Sequence, residues 1–205
     1  MSLCDLDAEL IARLARYCDF RQREMSVGGA AVEPLRQMLR VNLQEEFGWE
    51  YKPEPAEIVR PVIADARLMP HEWLRDRRGR IWKTDVASHG DDHFYPGATD
   101  IAWDLAGAIV EWHMSDAAAE ALLERYRRLS GDDPGDRLPF FLRAYSAFRL
   151  GFCRTAAGAC PQERERFTRA AEYYRSCQSP VAKQPGHSID QSITRSATAP
   201  ETLAS

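Results

Sequence analysis

The chain has 205 residues, 44% of them hydrophobic and 28% charged, which are the fractions of an ordinary globular domain. The formal net charge of -4 is too small to favour nucleic acid or a membrane surface as a partner. No apolar run reaches the roughly 20 residues of a membrane-spanning helix, and the charged N-terminal stretch lacks the apolar core of a signal peptide. These features predict a cytoplasmic protein with one packed domain.

Two helices are predicted in the N-terminal part of the chain. Apolar residues recur at helical spacing over residues 5–24, where Asp5 is placed as the N-cap, and again over residues 32–47, where Gly48 ends the pattern. The segment YKPEPAEIVRPVIADARLMP then carries four prolines, which exclude a long helix. It leaves room only for a short helix over residues 54–59.

A β-hairpin is predicted next. HEWL and RIWKTD are short runs rich in β-prone residues, and the charged stretch RDRRGR between them suits a tight polar turn at Gly79. We place the hairpin at residues 71–86. A loop rich in glycine and aspartate follows it.

Four helices are predicted after that loop. TDIAWDLAGAIVEWHM becomes helical from Asp100, AAAEALLERYRRLS is capped by Ser115 or Asp116, and LPFFLRAYSAFRLGFCRTAA and CPQERERFTRAAEYYRSC form the last two. Residues 178–205 are polar and without periodicity, which predicts a disordered tail. The expected fold class is therefore mostly α (α+β), with one hairpin inserted between helices.

Cysteines and tryptophans are interpreted as core residues rather than as functional groups. The five cysteines are odd in number and lack a CxxC pair, so they are expected to be thiols, with Cys18 and Cys153 buried. Apolar positions of predicted strands and helices hold Trp73, Trp82, Trp103 and Trp112. Core packing is expected for all four.

Most of the reactive side chains lie in or beside the hairpin. The loop after it contributes His89, Asp91, Asp92 and His93, and the hairpin contributes His71, Glu72 and Asp85. Imidazole and carboxylate groups bind zinc, manganese or magnesium, so a metal-dependent hydrolase is one interpretation. The spacing matches no specific zinc signature, and the same residues also fit ordinary turns and caps.

Three carboxylates are predicted at one end of the hairpin. Asp65 precedes the first strand, Glu72 lies at its start and Asp85 ends the second strand. Two such carboxylates would hold a hard divalent cation against phosphate oxygens, while a third would accept a proton from an attacking hydroxyl. This arrangement favours phosphoryl transfer.

Residues 64–107, from ADARLMPHEWL through RDRRGRIWKTD to TDIAWDLAG, resemble the catalytic-to-metal segment of the aminoglycoside phosphotransferase and choline kinase-like group. These proteins form a branch of the protein-kinase-like fold. In that family a His-x-Asp-x-x-x-x-Asn loop leads through a hairpin to a metal-binding Asp, and a helix with Asp-Leu-Ala follows. Pro70, Asp85 and Asp104 stand in register with that pattern.

The resemblance implies a fold and a set of roles. Residues 1–177 would be the helical C-terminal lobe of a kinase-like protein, with helices over 5–47 and 100–177 and the hairpin over 71–86. ATP and Mg²⁺ would be the cofactors, and a small hydroxylated molecule would accept the phosphoryl group. Glu72 and Asp85 would bind the metal, and Asp65 would be the base.

The resemblance also implies roles for the remaining polar residues. A substrate or phosphate loop would be formed by His89, Asp91, Asp92 and His93. Structural support would come from Arg67, His71, Asp100 and Asp104, the last two by accepting backbone hydrogen bonds.

Three positions depart from the family pattern. Arg67 stands where the family has its catalytic Asp, Glu72 where it has Asn, and Asp65 where it has His. A guanidinium cannot act as a base. The glycine pair at 28 and 29 lies between helices, and no β-rich N-terminal lobe precedes the first helix. We therefore keep a non-catalytic, kinase-derived binding or regulatory module as an alternative, and expect a separate N-terminal lobe or a homodimer as partner.

Overall fold

The computed structural model describes residues 1–50, 52, 54–84 and 97–178, and within them the chain forms six α-helices and five short strands. The predicted class, mostly helical with a small antiparallel sheet, is confirmed. Several predictions concern residues outside the described part of the chain, namely those on the tail from 179 onward and those on Asp85, His89, Asp91, Asp92 and His93.

The two N-terminal helices occur where the periodicity places them. Helix α1 spans Ala8–Glu24 and helix α2 spans Glu33–Phe47. The N-cap of α1 is Asp7 rather than Asp5, because only Asp7 stands three residues before the free N–H of Leu10, which it accepts at 2.7 Å. Gly48 ends α2 in the left-handed conformation, with φ of 66°.

The predicted short helix over residues 54–59 does not form. Proline at 55 and 61 removes backbone donors, and the N–H groups of Val59 and Arg60 are instead donated to the carboxylate of Asp100, both at 2.7 Å. This segment is therefore an extended connection tied to a later part of the chain.

The hairpin is present and carries a third strand that periodicity does not reveal. A single 3₁₀ turn, Pro70–Glu72, leads into strand β3, and strand β4 runs antiparallel to β3. Strand β1 pairs with the other edge of β3, so the sheet order is β1-β3-β4. These strands are β1 (Ser2–Leu3), β3 (Trp73–Arg75) and β4 (Ile81–Lys83).

A second small sheet joins two segments that are distant in sequence. Strand β2 (Pro61–Val62) pairs antiparallel with strand β5 (Thr99–Asp100). Helix α3 (Ala102–Glu111) begins directly after β5. The pairing therefore fixes the start of α3 beside the chain that leads to the hairpin.

The three remaining helices follow the prediction closely. They are α4 (Asp116–Ser130), α5 (Leu138–Ala159) and α6 (Arg164–Ser176). Ser115 caps α4 by accepting the N–H of Ala118 at 3.3 Å. A 3₁₀ turn, Pro161–Glu163, occupies the start of the predicted last helix.

Helix α5 is the centre of the core, because it packs against α2, α3 and α6, while α1 packs against α4. Trp73, Trp103 and Trp112 are buried as predicted, and Cys18 and Cys153 are buried free thiols. The prediction for Trp82 is wrong, because its side chain lies on the outer face of β4 and is 44% exposed. None of the helices in the described residues is long and apolar enough to cross a bilayer.

Candidate functional site

Asp104, in the first turn of α3, holds the loop that precedes the hairpin. Its Oδ2 accepts the N–H of Asp65 at 2.9 Å and its Oδ1 accepts the N–H of Ala66 at 3.2 Å. The neighbouring indole of Trp103 donates to the carbonyl of Ala66 at 3.2 Å. Ala66 has φ of 72°, a conformation that a residue with a side chain rarely adopts, so these three bonds hold a strained turn in place.

The environment of Asp104 raises the pKa of its carboxyl group. Its side chain is 1% exposed, and this burial, together with the negative charge of Asp65, raises its pKa to about 7. The two backbone hydrogen bonds and the charge of Arg21 act in the opposite direction but do not cancel the effect of burial. Asp104 is therefore a carboxyl group that titrates near neutral pH.

Asp65 lies at the junction of α1 and the hairpin. The hydroxyl of Tyr17, from α1, donates a hydrogen bond to Asp65 Oδ2, and the Nζ atom of Lys83, at the end of β4, is 3.3 Å from the same oxygen. Burial and the neighbouring charge of Asp65 raise the pKa of Tyr17, so the tyrosine stays a hydrogen-bond donor.

Glu72 shares the same lysine. Its Oε2 lies 2.9 Å from Lys83 Nζ, while its backbone carbonyl accepts both the N–H and the hydroxyl of Thr84, at 2.8 and 3.1 Å. The side chains of Lys83, Asp65 and Glu72 are only 5%, 1% and 5% exposed. The structure thus brings together two of the three predicted carboxylates, with an ammonium group between them.

Magnesium, which the family resemblance implies, does not fit the described residues as they are arranged. Mg²⁺ requires oxygen ligands at about 2 Å in an octahedral shell. Glu72 is bonded to an ammonium, and among residues 1–50, 54–84 and 97–178 no three His, Cys, Asp or Glu side chains converge on one point. The second predicted ligand, Asp85, lies outside the described residues.

The other predicted residues lie around this cluster rather than in it. His71 is exposed on the 3₁₀ turn, and the guanidinium of Arg67 is half-buried over the ring of Phe152, 5.9 Å from its centre. Asp100 accepts the N–H groups of Val59, Arg60 and Ala102 and the Nε of Arg137. Asp100 and Asp104 do accept backbone hydrogen bonds, each across a loop.

Sequence reasoning missed two members of the cluster, Tyr17 and Lys83. Both carried a signal. Tyr17 stands three residues after Leu14 on the apolar face of α1, and Lys83 stands two residues after the buried Ile81 on β4. Since side chains alternate along a strand, Lys83 and Ile81 share the inner face and Trp82 takes the outer one.

Comparison of the chain with protein-family models, with curated proteins and with solved structures finds no match.

Proposed function

We propose that this chain is the helical lobe of a phosphotransferase-like protein related to the aminoglycoside phosphotransferase and choline kinase-like group. It would bind ATP and a small hydroxylated acceptor. The observation that carries the proposal is the bonding of Asp104 to the backbone at Asp65 and Ala66. Through it, the helix with the Asp-Leu-Ala sequence fixes the loop in which the family places its catalytic residues.

The order of elements supports the same proposal. The fixed loop leads through a 3₁₀ turn into an antiparallel hairpin, and the chain returns to the loop at the start of α3. Asp65 is the candidate base. In the proposed reaction the acceptor oxygen bonds to the terminal phosphorus of ATP, ADP leaves, and the hydroxyl proton passes to Asp65.

The test of this function compares Asp65→Asn with Asp136→Asn, a matched change at an exposed loop position. ATP binding is measured by calorimetry with and without Mg²⁺, and ADP release is measured against a panel of small aminoalcohols and aminoglycosides. We expect Asp65→Asn to retain ATP binding and to lose at least about 100-fold in ADP release. Undiminished release in Asp65→Asn, or no binding of millimolar ATP by the wild type, would overturn the assignment.

A non-catalytic, kinase-derived binding module is the second candidate. Two contacts favour it: Asp65 Oδ2 accepts the hydroxyl of Tyr17 and pairs with Lys83, so the oxygen that would take a proton from an acceptor is already engaged. Arg67, which stands at the position of the family's base, also favours a non-catalytic module, because a guanidinium cannot accept a proton. ATP binding without any acceptor-dependent ADP release, equal in the wild type and Asp65→Asn, would establish this alternative.

The metal-dependent hydrolase gains no support from the described residues. His71 is exposed, whereas Glu72 is buried against Lys83. Its other proposed members, His89, Asp91 and His93, lie outside the part of the chain that the structure describes.

A further inference from the structure

The ammonium group of Lys83 lies between two buried carboxylates, those of Asp65 and Glu72. Its Nζ is 2.9 Å from Glu72 Oε2 and 3.3 Å from Asp65 Oδ2. The strand register fixes it there, because Lys83 is the cross-strand partner of the buried Trp73. The same ammonium lies 5.8 Å from the centre of the Tyr17 ring, which adds a favourable cation–π contact.

Electrostatics favours a cation between these two carboxylates. Two carboxylates in a site that is nearly inaccessible to water repel each other and are poorly solvated, so a positive charge between them is strongly favoured. An ammonium group supplies that charge without any requirement for coordination geometry. A divalent ion bound to the same two carboxylate oxygens would lie next to the ammonium, and the two positive charges would repel each other strongly.

We propose that Lys83 is the built-in cation of the Asp65–Glu72 pair and competes with divalent metal ions for these carboxylates. The pair then takes a metal only when the lysine side chain moves away or is removed. This inference stands apart from the proposed function, because it concerns only the contacts of Lys83 with the two carboxylates. It identifies Lys83 as the residue that sets the cation preference of the site.

The direct test is a calorimetric titration with Mn²⁺ alone, without nucleotide, so its result does not depend on whether ATP binds. The proteins are the wild type, Lys83→Met, and the control Lys52→Met at an exposed position. We expect Lys83→Met to bind Mn²⁺ at least about tenfold more tightly than the other two, because the competing charge is gone. Equal affinities in all three would overturn the proposal.

A double variant tests whether the Mn²⁺ bound by Lys83→Met is held by the Asp65–Glu72 pair. Adding Glu72→Gln to Lys83→Met should abolish the gain in Mn²⁺ affinity, whereas adding Glu45→Gln, an exposed residue of α2, should leave it unchanged. A gain that survives Glu72→Gln would place the ion elsewhere and overturn the proposal.

The wild type offers a test that does not depend on the folding of any variant. The chain has three lysines, so amine acetylation at Lys83 is easily read by peptide mass spectrometry against Lys52. Without metal, Lys83 should react at least about tenfold more slowly than Lys52, because its ammonium is buried and paired. Raising Mn²⁺ to about tens of millimolar should increase the rate at Lys83 alone. A rate at Lys83 that stays constant over this range would overturn the proposal.

Discussion

At the scale of single residues, Asp104 connects the fold to the site. It accepts two N–H groups of a loop and so stabilises a strained turn, in which Ala66 has φ of 72°. The loop in turn carries Asp65, which meets Tyr17 and Lys83. The position of the candidate base therefore depends on a carboxyl group 39 residues further along the chain.

Asp104→Ala should destabilise the protein by about 2–5 kcal/mol, because it leaves two buried N–H groups without an acceptor. Denaturant unfolding measures the loss, with Asp136→Ala at an exposed loop position as the control. The variant should also be cleaved faster by proteases near residue 66. A loss as small as that of the control would show that the loop does not depend on Asp104.

The raised pKa of Asp104 predicts a pH dependence of stability with a definite sign. Its folded-state pKa of about 7 lies above the ordinary value of 3.8, so the folded protein binds this proton more tightly than the unfolded chain does. The stability that Asp104 contributes is full below about pH 4 and is lost as the pH rises to about 7.

The loss should be on the order of a few kcal/mol, measured as the wild-type unfolding free energy between pH 4 and pH 8. Asp104→Ala should have a shallower dependence over this range. Parallel curves for the two proteins would assign the titration to another group.

At the scale of elements, the close contact of α3 with α5 fixes the helix that carries Asp104. Gly107 of α3 lies against Tyr145 of α5, and a Cβ atom at this position would be 2.9 Å from Cε2 of the tyrosine ring. The ring cannot move away freely, because the hydroxyl of Tyr145 donates to Glu111 at 2.8 Å. Glycine is therefore required at 107 for its size.

Gly107→Ala should lower the unfolding free energy by about 1–3 kcal/mol, since the added methyl group overpacks the α3–α5 contact. Gly158→Ala is the matched control within α5, because no atom lies within 4 Å of its added Cβ. That change should be neutral or stabilise by up to about 1 kcal/mol. Equal effects of the two changes in thermal or denaturant unfolding would contradict the packing argument.

At the scale of the whole molecule, a buried charge pair joins three helices. Glu111 of α3 accepts from Arg149 Nε of α5 at 2.8 Å, from the hydroxyl of Tyr145 at 2.8 Å and from that of Tyr174 of α6. Both charged side chains are almost completely buried. The pair therefore sets how the C-terminal helices dock on the helix that holds the site.

Glu111→Gln should cost about 3–5 kcal/mol, because it leaves the guanidinium of Arg149 buried without a counter-charge. In the double variant with Arg149→Met the total loss should be smaller than the sum of the two single losses, by about 1 kcal/mol or more. Chemical denaturation of the four proteins measures this coupling. Strictly additive losses would show that the two side chains do not act as a pair.

The amino-acid sequence by itself determined the elements. Helical periodicity, the serine before α4, the glycine after α2 and the turn at Gly79 are local signals, and the helices and the hairpin lie where these signals place them. Two predictions from local sequence were wrong. Asp7 rather than Asp5 caps α1, and residues 54–59 do not form a helix. The sequence pattern also predicted that Asp65 and Glu72 lie at one end of the hairpin, and both contact Lys83 there.

Only the tertiary structure decided how these groups are paired. The bond from Tyr17 to Asp65 spans 48 residues, and that from Asp65 to Asp104 spans 39. The pairing of β1 with β3 and of β2 with β5 likewise joins distant segments. No local pattern encodes such contacts, because they arise from the burial of apolar faces against one another. The result is a lysine, rather than a metal ligand set, between Asp65 and Glu72 in the described part of the chain.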